Sequence, residues 1–363
     1  MHDSFARARA LAERMRDAET FVAASAAMGG VLLSRGRPDE VEPLFRPLTA
    51  EQSASLSLRN RLNRDAILAI AMSQAGDQRR AWPMMLATRD ELITEWPGAR
   101  RTPGVLFRTV NLLVHAAYSA LLQGRMAEAD DLSREALEKA SETGDGAATA
   151  YALGSRAMVL TDLGRAGEGR GLAERALTIS RTQGLGPWLI LASMAIGLIA
   201  VDQGAVDEGL APHRAALEAW HREQGVFHCG EFCAQMAERL LRAGRPAEAA
   251  AYVHDGERFL RGLTEQVYAA ELLRLRARLH ELDGDAAAAE QRYGEAIALA
   301  DRQGAGRLAL RAAAGLSRLW LAQGQPARVL GLLAPQLEAS LLPRAHPEWL
   351  DARMVLERAN AVV

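Results

Sequence analysis

The sequence predicts an all-α protein, a right-handed α-α superhelix of about eight helical hairpins, each roughly 40 residues long. Three observations predict it. Glycines recur at Gly36, Gly76, Gly124, Gly164, Gly204, Gly244, Gly284 and Gly324, 40 residues apart except for one step of 48. Small side chains recur at fixed distances from those glycines. Aromatic residues make up only 5% of a chain that is 49% hydrophobic, a balance that suits closely nested helices better than one large aromatic core.

The elements follow in order. Residues 1–16 read as a lone second helix, a leading half-repeat. From 17 to 341 each unit is a helix A, a turn at the glycine, a helix B, and a second turn such as Gln183-Gly184 or Gln303-Gly304. A glycine just past a helix end supplies the left-handed backbone needed there. Pro38, Pro246 and Pro326, two residues later, suit the first turn of the next helix. Seven residues before the glycine stand Gly29, Ala69, Ala117, Ala157, Gly197, Ala237, Ala277 and Ser317. Five residues after it stand Val41, Ala81, Ala129, Gly169, Gly209, Ala249, Ala289 and Val329. Matched columns of small residues let helix A nest against helix B, and stacked hairpins then share one continuous core.

Two irregularities interrupt the repeat. Pro43, Pro47 and Pro83 fall inside helix B of the first two units, where each costs about 3 kcal/mol and kinks or delays the helix, so this end is expected to be the irregular one. The longer step predicts an insertion around residues 95–104. Such loops often lie on the binding side of a repeat array, although loop length also changes at little cost. Residues 342–363 predict a capping helix, with Trp349, Ala352, Leu356 and Ala359 on one face.

Composition excludes several functions. A formal charge of −2 gives no footprint for direct nucleic-acid binding. Lys139 is the only lysine among 43 basic residues, which leaves one candidate for any lysine-dependent chemistry. Cys229 and Cys233 make no disulfide framework. Their spacing lacks the second pair that a zinc site needs, and the column of Cys233 (Leu113, Leu153, Leu273) marks it as core. The first residues continue into an amphipathic helix pattern, not a signal peptide, and no stretch is apolar enough to span a membrane. A cytoplasmic chain without cofactor or metal is expected.

The small-residue columns around each turn glycine resemble the tetratricopeptide repeat, lengthened here beyond its usual span of about 34 residues. The segments Ala270-Glu271-Leu272-Leu273-Arg274-Leu275-Arg276, Ala296 to Ala305 and Leu308 to Ala313 resemble more narrowly a region of large bacterial signalling proteins. Those proteins carry an adenylate-cyclase or a LuxR-type DNA-binding module, then a nucleotide-binding ATPase, then such repeats as a sensor. The resemblance covers roughly residues 105–340. The G-x-x-x-x-G-K-[ST] phosphate loop is missing from this sequence, so it lacks the ATPase. The chain is therefore expected to be either a free-standing repeat protein or a fragment of a longer one.

In that repeat, helix A lines the concave face through positions that fall here thirteen, ten and six residues before the turn glycine. The resemblance thus implies a semi-apolar middle of the groove at Asn111, Tyr118, Tyr151, Met158 and Met194. It implies a charged C-terminal third at Glu231, Glu238, Glu271, Arg274, Arg278, Arg311 and Arg318. Carboxylates and guanidinium forks at helical spacing suit a charged peptide segment or an acidic group. The plainer alternative is a solvated face with weak ion pairs, each worth about 0–1 kcal/mol. The expected role is a non-enzymatic sensor or scaffold for a protein, a peptide or a small effector. The rival class is an α/α-toroid enzyme. That would need a closed ring around a convergent acid pair, and Glu231 and Glu271 come nearest to one.

Overall fold

The computed structural model describes residues 2–94 and 103–362, and among these every regular element is helical. A leading helix α1 (His2–Met15) packs on α2 (Ala18–Ser34), the first helix A. Its helix B is broken into two 3-10 turns, Pro38–Glu40 and Glu42–Phe45, and the short α3 (Ala50–Ala54), as Pro43 and Pro47 led one to expect. Then come the regular hairpins α4 (Leu58–Gln74)/α5 (Gln78–Thr94), α6 (Pro103–Gln123)/α7 (Met126–Thr143) and α8 (Gly146–Asp162)/α9 (Ala166–Gln183). They continue as α10 (Gly186–Asp202)/α11 (Val206–Gln224), α12 (Cys229–Arg242)/α13 (Pro246–Leu260), α14 (Ala269–Leu282)/α15 (Ala286–Gln303) and α16 (Gly306–Ala322)/α17 (Pro326–Ala339). A last helix, α18 (Pro347–Asn360), packs on α16 and α17 and buries Trp349, Ala352 and Ala359.

Pro83 departs from expectation. Helix α5 runs through it without a break. Both Pro83 and Arg79, whose carbonyl loses its partner, are exposed, so water can satisfy that oxygen. The predicted insertion at 95–104 lies almost wholly outside the described residues, apart from Pro103 and Gly104 at the start of α6.

All eight turn glycines have positive φ, from 68° at Gly36 to 92° at Gly76. The small-residue columns meet where helix A crosses helix B. A Cβ on Gly209 would lie 2.4 Å from the Gly197 carbonyl oxygen, and one on Gly169 would lie 2.9 Å from that of Ala157. No larger residue fits without parting the helices. Among the described residues, no helix is long and apolar enough to cross a membrane.

The array winds far enough to meet itself. The Val226 amide donates to Ser34 O at 3.2 Å, and the amides of Thr264 and Glu265 donate to Gly36 O at 3.0 and 3.1 Å. Gln266 and Val267 donate to Gln74 O at 2.9 and 3.2 Å, Arg79 donates to Asp301 O at 2.9 Å, and Leu342 covers the turn at Gly124. The turns of the first three units thus dock on the connections of the last four. The concave surface expected of the sequence is thus an inner wall, closed along this seam.

Candidate functional site

The inner wall is built from helix A of successive units, and α12 forms its spine. The residues on one face of α12 (Glu231, Gln235, Glu238 and Arg242, three or four apart) run the length of the interior. A chamber opens at each end of that face.

The first chamber, about 120 Å³, gathers side chains from four hairpins. Asn111 and Tyr118 come from α6, Tyr151 and Ser155 from α8, Trp188 and Leu191 from α10, and Trp220 from α11. Phe227, His228, Glu231 and Phe232 complete it at the start of α12. Asn111 and Tyr151, 40 residues apart in one column, are joined by the tyrosine hydroxyl donating at 3.0 Å. The rings of Tyr151 and Trp188 lie 4.6 Å apart, with Phe107 about 6 Å from both. Trp220 Nε1 donates to Phe227 O at 2.7 Å and so fixes the loop before α12.

His228 turns that loop into the helix with a left-handed backbone, φ 61°, a conformation that costs a non-glycine residue energy. Its amide donates to Glu265 at 3.0 Å, and its Nδ1 lies 2.7 Å from Glu231 Oε2. Burial pushes the His228 ring down to about 3. Burial, and then the nearby Asp162 charge, push the Glu231 carboxyl up to about 8. At neutral pH the contact is therefore a hydrogen bond from a protonated carboxyl to a neutral imidazole, not an ion pair. Gln235 donates to the other carboxyl oxygen at 3.2 Å.

The second chamber, about 370 Å³, is polar and lined by six arginines (Arg239, Arg242, Arg274, Arg307, Arg311, Arg318) and by Asp162, Glu238, Glu348 and Asp351. Here every carboxylate on the α12–α18 side has a cation. Arg274 bonds Glu271 at 2.9 Å and also Glu238; Arg311 reaches Glu271 at 2.8 Å and Glu238 at 3.1 Å. Arg307 grips both oxygens of Glu348 at 2.9 and 2.8 Å. Burial alone would raise Glu348, but Arg307 and Arg311 pull it down to about 2; burial likewise opposes, and Arg274 and Arg311 outweigh, the shift of Glu238 to well below the carboxylate range. The centre of the lattice is buried, with the Arg274 and Glu271 side chains only 10% and 4% exposed, while at its rim Arg318 and Asp351 form the exposed pair of the plainer alternative.

Of the residues expected in the groove, Asn111, Tyr118, Tyr151 and Glu231 meet in the aromatic chamber. Glu238, Arg274, Arg311 and Arg318 line the arginine chamber, with Glu271 behind it. Met158 and Met194 do not belong to this surface. Both are fully buried in the apolar core, because their position on helix A turns toward the neighbouring helices. Arg278 is exposed and paired with Glu281 at 2.9 Å, away from both chambers.

Sequence reasoning missed Phe107, Trp188, Phe227, His228 and Arg307. All lie sixteen or seventeen residues before a turn glycine, one helical turn beyond the first column considered, and extending the column by that turn would have found them. Glu231 and Glu271, the nearest approach to an acid pair, are held by different partners, the first by His228 and Gln235 and the second by Arg274 and Arg311. Cys229 and Cys233 are buried, and burial pushes both thiols up.

No protein-family model and no curated protein matches the chain. Solved structures do match, and they are helical-repeat proteins of the tetratricopeptide type. A Rap protein complexed with Competence and Sporulation Factor is similar at TM-score 0.54 and 15% identity, over 94% of this chain and 97% of that one. The Rap conjugation gene regulator of plasmid pLS20, in complex with the Phr* peptide, is similar at TM-score 0.52 and 12% identity, over 99% and 96%. A signal transduction ATPase with numerous domains and a tetratricopeptide repeat sensor, from Pyrococcus horikoshii, is similar at TM-score 0.47 and 12% identity, over 89% and 52%. At such identities the likeness is one of fold: the chain is a tetratricopeptide-like superhelix.

Proposed function

We propose that the chain is a non-enzymatic sensor or scaffold of bacterial, cytoplasmic signalling or transcription regulation, and that it takes a short peptide into its interior. In this reading residues 17–341 form the binding solenoid, with 1–16 and 342–363 closing its ends. One observation carries it: a single helix face presents an aromatic chamber at one end and an arginine-lined chamber at the other. From Glu231 to Arg242 that face spans about 16 Å, the reach of roughly five extended residues. A side chain that stacks on aromatic rings at one end and a carboxylate at the other would each meet their complement. The pLS20 Rap regulator, which is similar in fold, holds a peptide in its solved complex. The assignment of Glu231 and Glu271 to separate partners weighs against the toroid enzyme.

The test is calorimetric titration of the full chain with hexapeptides that differ in whether the C-terminus is a free carboxylate or an amide. Binding should require the free carboxylate. The double substitution Tyr118→Ala with Tyr151→Ala should abolish capture while circular dichroism reports unchanged helicity. Undiminished affinity in that variant would remove the site.

A further inference from the structure

The two chambers treat their carboxyls in opposite ways. Around the arginine chamber Glu238, Glu271 and Glu348 are each clasped by guanidinium groups. In the aromatic chamber Glu231 is equally buried, at 2% exposure, yet among the described residues no arginine or lysine pairs with it. The neighbourhood holds acceptors in excess: Glu265 Oε2 and Gln235 Oε1 are buried without a hydrogen-bond partner. A carboxyl in such a place stays neutral unless a cation arrives. Around it stand Tyr118, Tyr151, Trp188, Trp220 and Phe227, whose π-faces attract cations.

We propose that the aromatic chamber is a receptor for an alkylammonium group, held against these rings and neutralised by the Glu231 carboxylate. The inference rests on the reading of the interior as a ligand site and names the chemistry at one end of it. A volume of about 120 Å³ suits such a head and falls short of the pockets of drug-sized molecules, which begin at about 300 Å³. Entry of the cation moves one proton. The Glu231 hydroxyl proton passes to His228 Nδ1, the Nε2 proton of that ring leaves to solvent, and the resulting Nδ1–H tautomer, still neutral, donates to the new carboxylate.

Binding is therefore linked to pH. The groups facing Glu231 are His228 and Gln235 on its own element, Tyr118 from α6, Tyr151 and Asp162 from α8, and Glu265 and Tyr268 ahead of α14. Of these, Asp162 adds negative charge, Glu265 is pushed up by burial as Glu231 is, and none adds positive charge, so the environment favours a proton or another cation. Because Glu231 titrates near 8, affinity for the cation should fall by up to tenfold for each pH unit below that and level off above it.

The experiment titrates choline, n-butylammonium and uncharged 3,3-dimethylbutanol into the full chain, followed by calorimetry and by the fluorescence of Trp188 and Trp220. A fourth arm compares a capped lysine amide with its Nε-acetylated form, which separates a peptide side chain from a free small cation as the source. The cations should bind at least tenfold more tightly than the alcohol, with the stated pH dependence, and Glu231→Gln should remove both effects while leaving the alcohol unchanged. Equal binding of cation and alcohol would overturn the ammonium assignment and leave the chamber an apolar subsite of the peptide reading. No binding of any probe would also overturn it, and the C-terminal carboxylate dependence of the hexapeptides would still report on the arginine chamber separately. The pH series on the unaltered protein decides the matter even if the variant does not fold.

Discussion

Replacing one glycine with alanine at two places in this molecule should change stability in opposite directions. Gly171 lies within α9 and a Cβ there would meet nothing within 4 Å. Alanine is preferred over glycine in a helix interior by about 0.8–1.0 kcal/mol, so Gly171→Ala should stabilise by about that amount. Gly209, within α11, receives the same propensity gain. Its Cβ, however, would stand 2.4 Å from the Gly197 carbonyl oxygen, 3.0 Å from Val201 Cγ2 and 3.1 Å from Ala200 Cβ. The first of these is backbone and cannot swing away, so α10 and α11 must part by roughly half an ångström along their crossing. Overpacking of this kind costs about 1–3 kcal/mol, and the tightness of the contact places it in the upper part of that range. The net expectation is a loss of about 1–2 kcal/mol. In a repeat array the loss falls on the local interface, so the reading is amide hydrogen exchange across α10 and α11, alongside urea denaturation. Faster exchange there in Gly209→Ala and slower or unchanged exchange in Gly171→Ala is expected. If Gly209→Ala stabilises as Gly171→Ala does, the small-residue columns are not what sets the helix crossing.

Other consequences are as direct. Arg311→Met leaves Glu238 and Glu271 short of a cation in a buried lattice and should cost about 3–5 kcal/mol, visible as a lower urea midpoint at pH 7. Stability should also depend on pH in two windows. Glu348, lowered to about 2 in the folded state, contributes stability that is present above its unfolded value near 4.5 and lost as pH falls toward 2. Glu231 and Glu265, raised to about 8, hold protons that the unfolded chain releases near 4.5, so their contribution is full below 4.5 and lost as pH rises through 8. The buried rings of His115, His213 and His228, pushed down by burial, add the opposite slope below about 6.5, so the fall is read above it: a urea midpoint that does not fall between pH 7 and 8, or a slope untouched by Glu231→Gln, would contradict this. Leu342→Asp places a charge against the Gly124 turn and should open the seam, raising the radius of gyration in X-ray scattering with helicity unchanged.

How much of this could be read from the sequence differs by feature. The repeat could be, because each turn needs a left-handed residue and each crossing needs a small one, and both are requirements that a single position meets on its own. The broken second helix of the first unit followed in the same way from Pro43 and Pro47, and the burial of Cys233 from the leucines in its column. Pro83 was misjudged because the cost of a proline depends on whether the orphaned carbonyl reaches water, which exposure decides and sequence does not. Met158 and Met194 were misplaced because the face of helix A that looks inward is narrower than the column spacing implies.

The sequence by itself determined the local grammar of this protein: helix, turn, helix, and the columns that let neighbours nest. Only the tertiary structure decided that the superhelix closes, since the amides of Thr264 and Glu265 find the Gly36 carbonyl through small rotations accumulated over many hairpins. Closure in turn decided the chemistry. It buried part of the inner wall, where burial raises the Glu231 carboxyl beside His228 while guanidinium groups hold Glu238, Glu271 and Glu348, because the charge a carboxyl carries is fixed by its surroundings and not by its place in the chain.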